Sequence, residues 1–140
     1  MILHCDFEEL AALAAATDRA LDSAGRVHAV AAPPQELADL EALLPRLVGD
    51  IGIDSLAEHA SVRRAVVFLA RALRVRMEAA ILDQHPAAEE AVLAYFDYAR
   101  VLSVLARLDR LGFEMAAIVE VMTGQHPTTD AAQRFSFPED

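Results

Sequence analysis

The sequence predicts a mainly α fold, a single-domain bundle of four to six helices built on a long antiparallel helical hairpin. Three observations lead there. Alanine inflates a hydrophobic content of 55%, tryptophan is absent, and the 5 glycines and 6 prolines are few, a composition of packed helices rather than of a sheet or a disordered chain. Two apolar-rich segments with helical spacing run from Ser61 to Gly112 and are hinged at Gln84-His85-Pro86. The glycines (Gly25, Gly49, Gly52, Gly112, Gly124) fall where helices are expected to end. A chain of 140 residues fits one domain, 1–140, with the hairpin at about 61–112 as its core.

Asp6 is placed to cap a first helix, with Glu9 at the capping-box position. The spacing of Phe7, Leu10, Leu13 or Ala14, Thr17 and Leu21 carries that helix to about Ala24, before Gly25. Residues 26–32 read as extended ahead of Pro33-Pro34. They are candidates to pair with residues 1–5, or with Phe135-Ser136-Phe137, as a minor two- or three-strand β element. The prolines start a second helix because proline lacks the N–H that a first turn leaves unpaired. Leu37, Leu40, Leu43 or Leu44 and Leu47 face inward, and the helix stops near Gly49. Gly49 to Asp54 reads as irregular, with Asp54 or Ser55 capping the hairpin.

In the first arm of the hairpin, Val62, Val66, Leu69, Leu73, Met77 and Ala80 form one stripe. Ala65, Phe68, Ala72, Val75, Ala79 and Leu82 form a second beside it. The return arm, about Pro86 to Leu111, sets Ala91, Tyr95, Tyr98, Ala99, Leu102, Leu105 and Ala106 inward. A back stripe of Leu93, Phe96, Val104 and Leu111 remains among Arg100 and Arg107, more apolar area than a monomer leaves in water. It predicts a homodimer interface at Leu93, Phe96, Val104, Arg100 and Arg107, unless the first or last helix covers it. Gly112 is read as a break before a last short helix from Phe113 to Thr123. The motif Gln125-His126-Pro127 echoes the hinge as shared helix punctuation.

The net charge of −10 is unevenly placed. Residues 1–58 carry net −8 (three arginines, eleven acids), 59–76 carry +5 (five arginines), and 77–140 carry −7 (four arginines, eleven acids). That balance argues against nucleic acid except through Arg63, Arg64, Arg71 and Arg74, and favours a protein partner or self-association. Charges interrupt each apolar run long before the ~20 residues a membrane span needs. The single cysteine, Cys5, excludes an internal disulfide and, with no secretory leader after Met1, points to the cytoplasm.

Histidines 4, 28, 59, 85 and 126 are scattered, with no metal-ligand spacing, no phosphate-cradling glycine loop is present, and Cys5 has only the adjacent His4 as a base. No catalytic residue, metal or cofactor is expected. Two residues break the hairpin's pattern, as residues at sites do. Arg76 sits on the apolar arc, and pairing across a tight turn sets it beside Tyr95, Tyr98 and Asp97, a candidate pocket for an apolar acid. Asp109 falls beside Val62 and Arg63. Either charge also fits a structural ion pair.

The stretch Leu108 to Glu120, with Leu111-Gly112-Phe113, Ile118 and Glu120, resembles the helix-turn-helix joint that follows the winged helix of MerR-type regulators. The resemblance implies a turn at Gly112. The recognition helix and its tyrosine-rich turn are missing, and the acidic charge opposes DNA binding. The sequence therefore reads as a non-enzymatic interaction or structural protein. A helical small-molecule sensor and an accessory regulator with a basic helix face are the alternatives.

Overall fold

A computed structural model describes residues 1–22, 31–83 and 89–124. Their elements run β1 (Ile2–Leu3), α1 (Phe7–Leu21), α2 (Pro34–Leu43) with a 3-10 turn at Leu44–Arg46, β2 (Ile51–Gly52), α3 (Leu56–Asp83) and α4 (Glu89–Met122). The architecture is all-α, apart from the two-stranded ribbon. The hinge at 84–88, the glycine after α1, the extended stretch 26–30 and the segment 125–140, with its second hinge motif and Phe135-Ser136-Phe137, lie outside the described residues.

The α1 helix begins as its sequence dictates. Asp6 accepts from the Glu9 N–H at 2.8 Å while the Glu9 carboxylate accepts from the Asp6 N–H at 2.9 Å, which satisfies two donors that a first turn leaves free. Ser55, rather than Asp54, caps α3, accepting from the Glu58 N–H at 3.0 Å. The expected minor β element is present with a different partner. Residues 1–5 supply β1, but it pairs antiparallel with β2, Ile2 opposite Gly52 and Leu3 opposite Ile51. The stretch read as irregular, 49–54, therefore contains a strand. Its alternation is visible afterwards, since Ile51 and Ile53 are 2% and 0% exposed and a two-residue strand offers no longer period to detect.

The hairpin α3/α4 carries the core, joined by Leu13 and Ala16 of α1 and Leu40 and Leu43 of α2. On α3 the first predicted stripe is the inner one, Val62, Val66, Leu69 and Leu73 being nearly inaccessible. The second stripe is buried only at its start, since Val75 is 44% and Leu82 83% exposed.

Two corrections concern α4. Gly112 does not break it: the helix runs unbroken through it over its full 34 residues, Glu89–Met122, about 51 Å at 1.5 Å per residue. A Cβ at Gly112 would meet the His59 ring at 2.5 Å (Cε1) and 2.6 Å (Nε2), so the glycine is a seat for that ring. His59, 2% exposed, donates its Nε2–H to the Leu108 carbonyl at 2.7 Å.

The second correction is rotational. The inward residues are Ala91, Ala94, Val101, Val104, Leu108, Gly112 and Met115, whereas Tyr95, Ala99, Leu102 and Ala106 face out. The helix is turned by about 100°, the angle of one residue, from the expected face. Apolar residues occupy most of its circumference, so hydrophobicity alone sets no rotation. The close approach at Gly112 does, and it aligns Ala94, Val101, Leu108 and Met115, each seven apart.

Replacing Gly112 by alanine is expected to cost about 1–3 kcal/mol from overpacking against the anchored ring, less ~1 kcal/mol of gained helix propensity. In a His59→Ala background the same change is expected to stabilise, by up to ~1 kcal/mol. Urea midpoints of the four proteins report the sign. Equal, additive losses in both backgrounds contradict the seat.

Candidate functional site

The residues expected to form an anion pocket do not converge. Arg76 reaches the Glu90 carboxylate at 3.3 Å, and its Nη1 is buried without a hydrogen-bond partner among the described residues. Asp97 is held by Arg100 at 3.4 Å. Tyr95 is 56% exposed on the outward side, edge-on to Phe96 with centroids 5.8 Å apart, while Tyr98 is half-buried against the core. Asp109 does stand beside Arg63, at 2.6 Å from its Nε. Both pattern-breaking charges are thus arms of ion pairs that tie α3 to α4.

The expected interface is also redistributed. Val104 is 0% exposed and belongs to the core, because the rotation of α4 brings it inward; it cannot meet a partner. Leu93 and Phe96 remain 52% and 49% exposed, and the Arg100 guanidinium lies 5.9 Å from the Phe96 ring centroid. Arg100 and Arg107 face α1. Arg100 bonds Glu8 at 3.3 Å, and Arg107 bonds Glu9 and the His4 carbonyl. The first helix therefore docks along this flank of α4 through two arginines. Glu9 is 5% exposed, and removing the cation from such a carboxylate costs about 3–5 kcal/mol.

The basic island is largely neutralised within the fold. Arg63 holds Asp109, Arg64 holds Asp39 at 2.9 Å, and Arg74 holds Glu78 at 3.0 Å. Asp39 is the most heavily bonded of these acids, accepting from Arg64, from Ser61 at 3.1 Å and from Gln35 at 3.2 Å. It stands at the edge of a cleft of about 320 Å³ between α2 and α3, with Leu43, Arg46, Glu58 and Val62 in its walls. Arg46 and Glu58 pair at 2.7 Å across it, so its charged groups are already engaged.

Burial pushes the Asp39 carboxyl up, but the bonds from Arg64, Gln35 and Ser61 outweigh it and hold the pKa below its ordinary 3.8. Such a group adds stability above the ordinary carboxylate range and loses it as pH falls through the folded-state value. Asp39→Asn is expected to flatten the fall in urea midpoint between pH 5 and 3 (about the ordinary range of the carboxylate). An unchanged acid slope contradicts this role.

Near the ribbon, His4 Nδ1 lies 2.9 Å from the Asp50 carboxylate, which also accepts the Cys5 N–H at 3.3 Å. Burial pushes the Cys5 thiol above its ordinary 9.0, with Arg107 opposing and Asp50 and Asp6 adding to it. A thiol held protonated is a poor nucleophile. Among the described residues, no three of His, Cys, Asp and Glu stand together as metal ligands do.

What stands out is the outward face of α4. Val92, Tyr95, Leu102 and Phe113 are 41%, 56%, 40% and 45% exposed, and Ala99 and Ala106 between them are exposed too. They recur at 92, 95, 99, 102 and 106 with the three- and four-residue alternation of a coiled-coil seam, which passes through Asp109 before it reaches Phe113. Sequence reasoning found most of these residues and assigned them to the core; the signal it missed was a second seven-residue series, 94, 101, 108 and 115, which passes through Gly112. No helix among the described residues is long and apolar enough to cross a membrane. Comparisons with family models, curated proteins and solved structures return no match for the chain.

Proposed function

We propose that this is a non-enzymatic helical interaction protein that self-associates through the outer face of α4, in a cytoplasmic setting. One observation carries the reading: an exposed, mainly apolar seam with heptad spacing, interrupted at Asp109, runs along the longest helix, while Arg63, Arg64 and Arg107 are engaged in ion pairs inside the fold. A monomer seldom leaves a continuous apolar strip in water, and such strips mark contact surfaces. A seam of 3.5-residue period is the pattern by which one helix packs along another. A cytoplasmic setting accords with one unpaired cysteine.

Light scattering across a concentration series tests the reading. The mass is expected to rise from the 15.2 kDa of one chain toward about twice that value at high micromolar concentration, the range of a small interface. Ala106→Glu places a charge on the seam at an exposed position, where folding is affected by only ~0.5 kcal/mol. That variant is expected to remain at 15.2 kDa with unchanged helical circular dichroism. A wild-type mass that stays at one chain throughout the series contradicts the proposal.

A further inference from the structure

The seam has a symmetry that its spacing alone does not require. Tyr95 and Phe113 lie equally far, nine residues, to either side of position 104; Leu102 and Ala106 lie two to either side; Ala99 and Asp109 lie five. Reversing the helix about that point lays aromatic on aromatic and leucine on alanine. We infer that the partner of the outer α4 face is a second copy of the chain, laid antiparallel across a two-fold axis at the Leu102–Ala106 turn. The inference rests on the proposal of self-association above and specifies its geometry.

Packing favours the antiparallel arrangement. At each end Tyr95 of one copy meets Phe113 of the other, an aromatic pair of the kind worth about 0.5–1.5 kcal/mol beyond its buried area. At the centre Leu102 fills the space over the second copy's Ala106, so the two helices close without a void. A parallel pair in register stacks Ala99 on Ala99 and Ala106 on Ala106 while Tyr95 and Phe113 hold the helices apart.

Charge favours it as well. In parallel register Asp109 faces Asp109, a like-charge contact on the seam itself. Reversal brings Arg110 alongside the second copy's Phe96, where a guanidinium and an aromatic ring attract. It sets Asp109, already held by Arg63, against Ala99, and it opposes the two helix dipoles. The contact is isologous and closes on itself, so it yields a dimer rather than a filament.

The available area sets the strength. Half-exposed aromatics at Tyr95, Phe96 and Phe113 offer about 100 Å² each, and with Val92, Leu102 and the alanines the strip comes to roughly 500 Å² per copy. Roughly 1,000 Å² for the pair is at the threshold of a specific interface. The dimer is therefore one that forms and dissociates with concentration, not an obligate one.

Single-cysteine variants in a Cys5→Ser background, treated with a short bismaleimide at a concentration where light scattering reports dimer, test the geometry. Ala106→Cys is expected to cross-link to itself. Val92→Cys and Ala117→Cys are expected to cross-link when mixed but not alone, because self-pairs at those positions stand about 36 Å and about 39 Å apart along the axis. Self-cross-linking at all three positions overturns the antiparallel arrangement in favour of a parallel one. A dimeric mass with no cross-link at Ala106 overturns the seam as the contact. A monomeric mass under all conditions removes the underlying self-association, an outcome the mass measurement reports separately from the cross-linking pattern.

Discussion

The rotation of α4 is fixed by a side chain on the other arm of the hairpin. The ring of His59 occupies the space that a side chain at position 112 would take, and its N–H reaches the Leu108 carbonyl one turn earlier. A buried ring with a directed hydrogen bond tolerates little rotation of the surface it rests on, whereas leucine and alanine packing tolerates a good deal. With the helix held there, Val101, Val104, Leu108 and Met115 enter the core, Asp109 comes within reach of Arg63, and Arg107 is presented to Glu9. The same setting leaves Val92, Tyr95, Ala99, Leu102, Ala106 and Phe113 facing out.

Around that hairpin the charges act as ties rather than as a recognition surface. Each of these smaller elements is joined to the long helices by an arginine and a partly or fully buried acid: α1 by Glu9–Arg107, α2 by Asp39–Arg64, and the 3-10 turn after α2 by Arg46 with Glu58. The acids that are most buried, Glu9 and Asp39, are also the ones that accept from two or more donors, as desolvation requires. Much of the excess acid thus remains as a solvated negative field, which under the proposed self-association opposes contact everywhere except along the apolar strip. This balance is consistent with a weak, self-limiting contact.

The fold was legible to the extent that it is written in local rules. The capping box at Asp6 and Glu9, the proline start of α2 and the inner stripe of α3 each act within a turn or two, and each appears where its residues place it. The Arg63–Asp109 pair was legible too, since counting across a turn assumed to be tight at 85 to 86 sets Asp109 beside Arg63, although the same counting set Arg76 beside Tyr95 rather than Glu90. What the sequence concealed depends on contacts between distant segments. A glycine in a helix looks like a terminator unless the ring it seats, 53 positions away at His59, is known. With Gly112 taken as an end, the inner series of α4 lost its last two members, and the outer series, equally apolar, took its place. Arg100, Arg107 and Val104 were drawn into a surface role by the same displacement.

The seating of α4 and the proposed use of its outer face both determine how accessible individual positions along that helix are. The direct measurement is the alkylation rate of single cysteines at Ala94, Ala99 and Ala106, in a Cys5→Ser background, at low nanomolar and high micromolar protein. Positions 99 and 106 are expected to react as exposed thiols when dilute and to become protected on concentration. Position 94, 0% exposed in the single chain, is predicted to be protected at both. Rapid labelling at 94 with protection of 106 in dilute protein would contradict the seating, and labelling of 99 and 106 that ignores concentration would contradict the self-association.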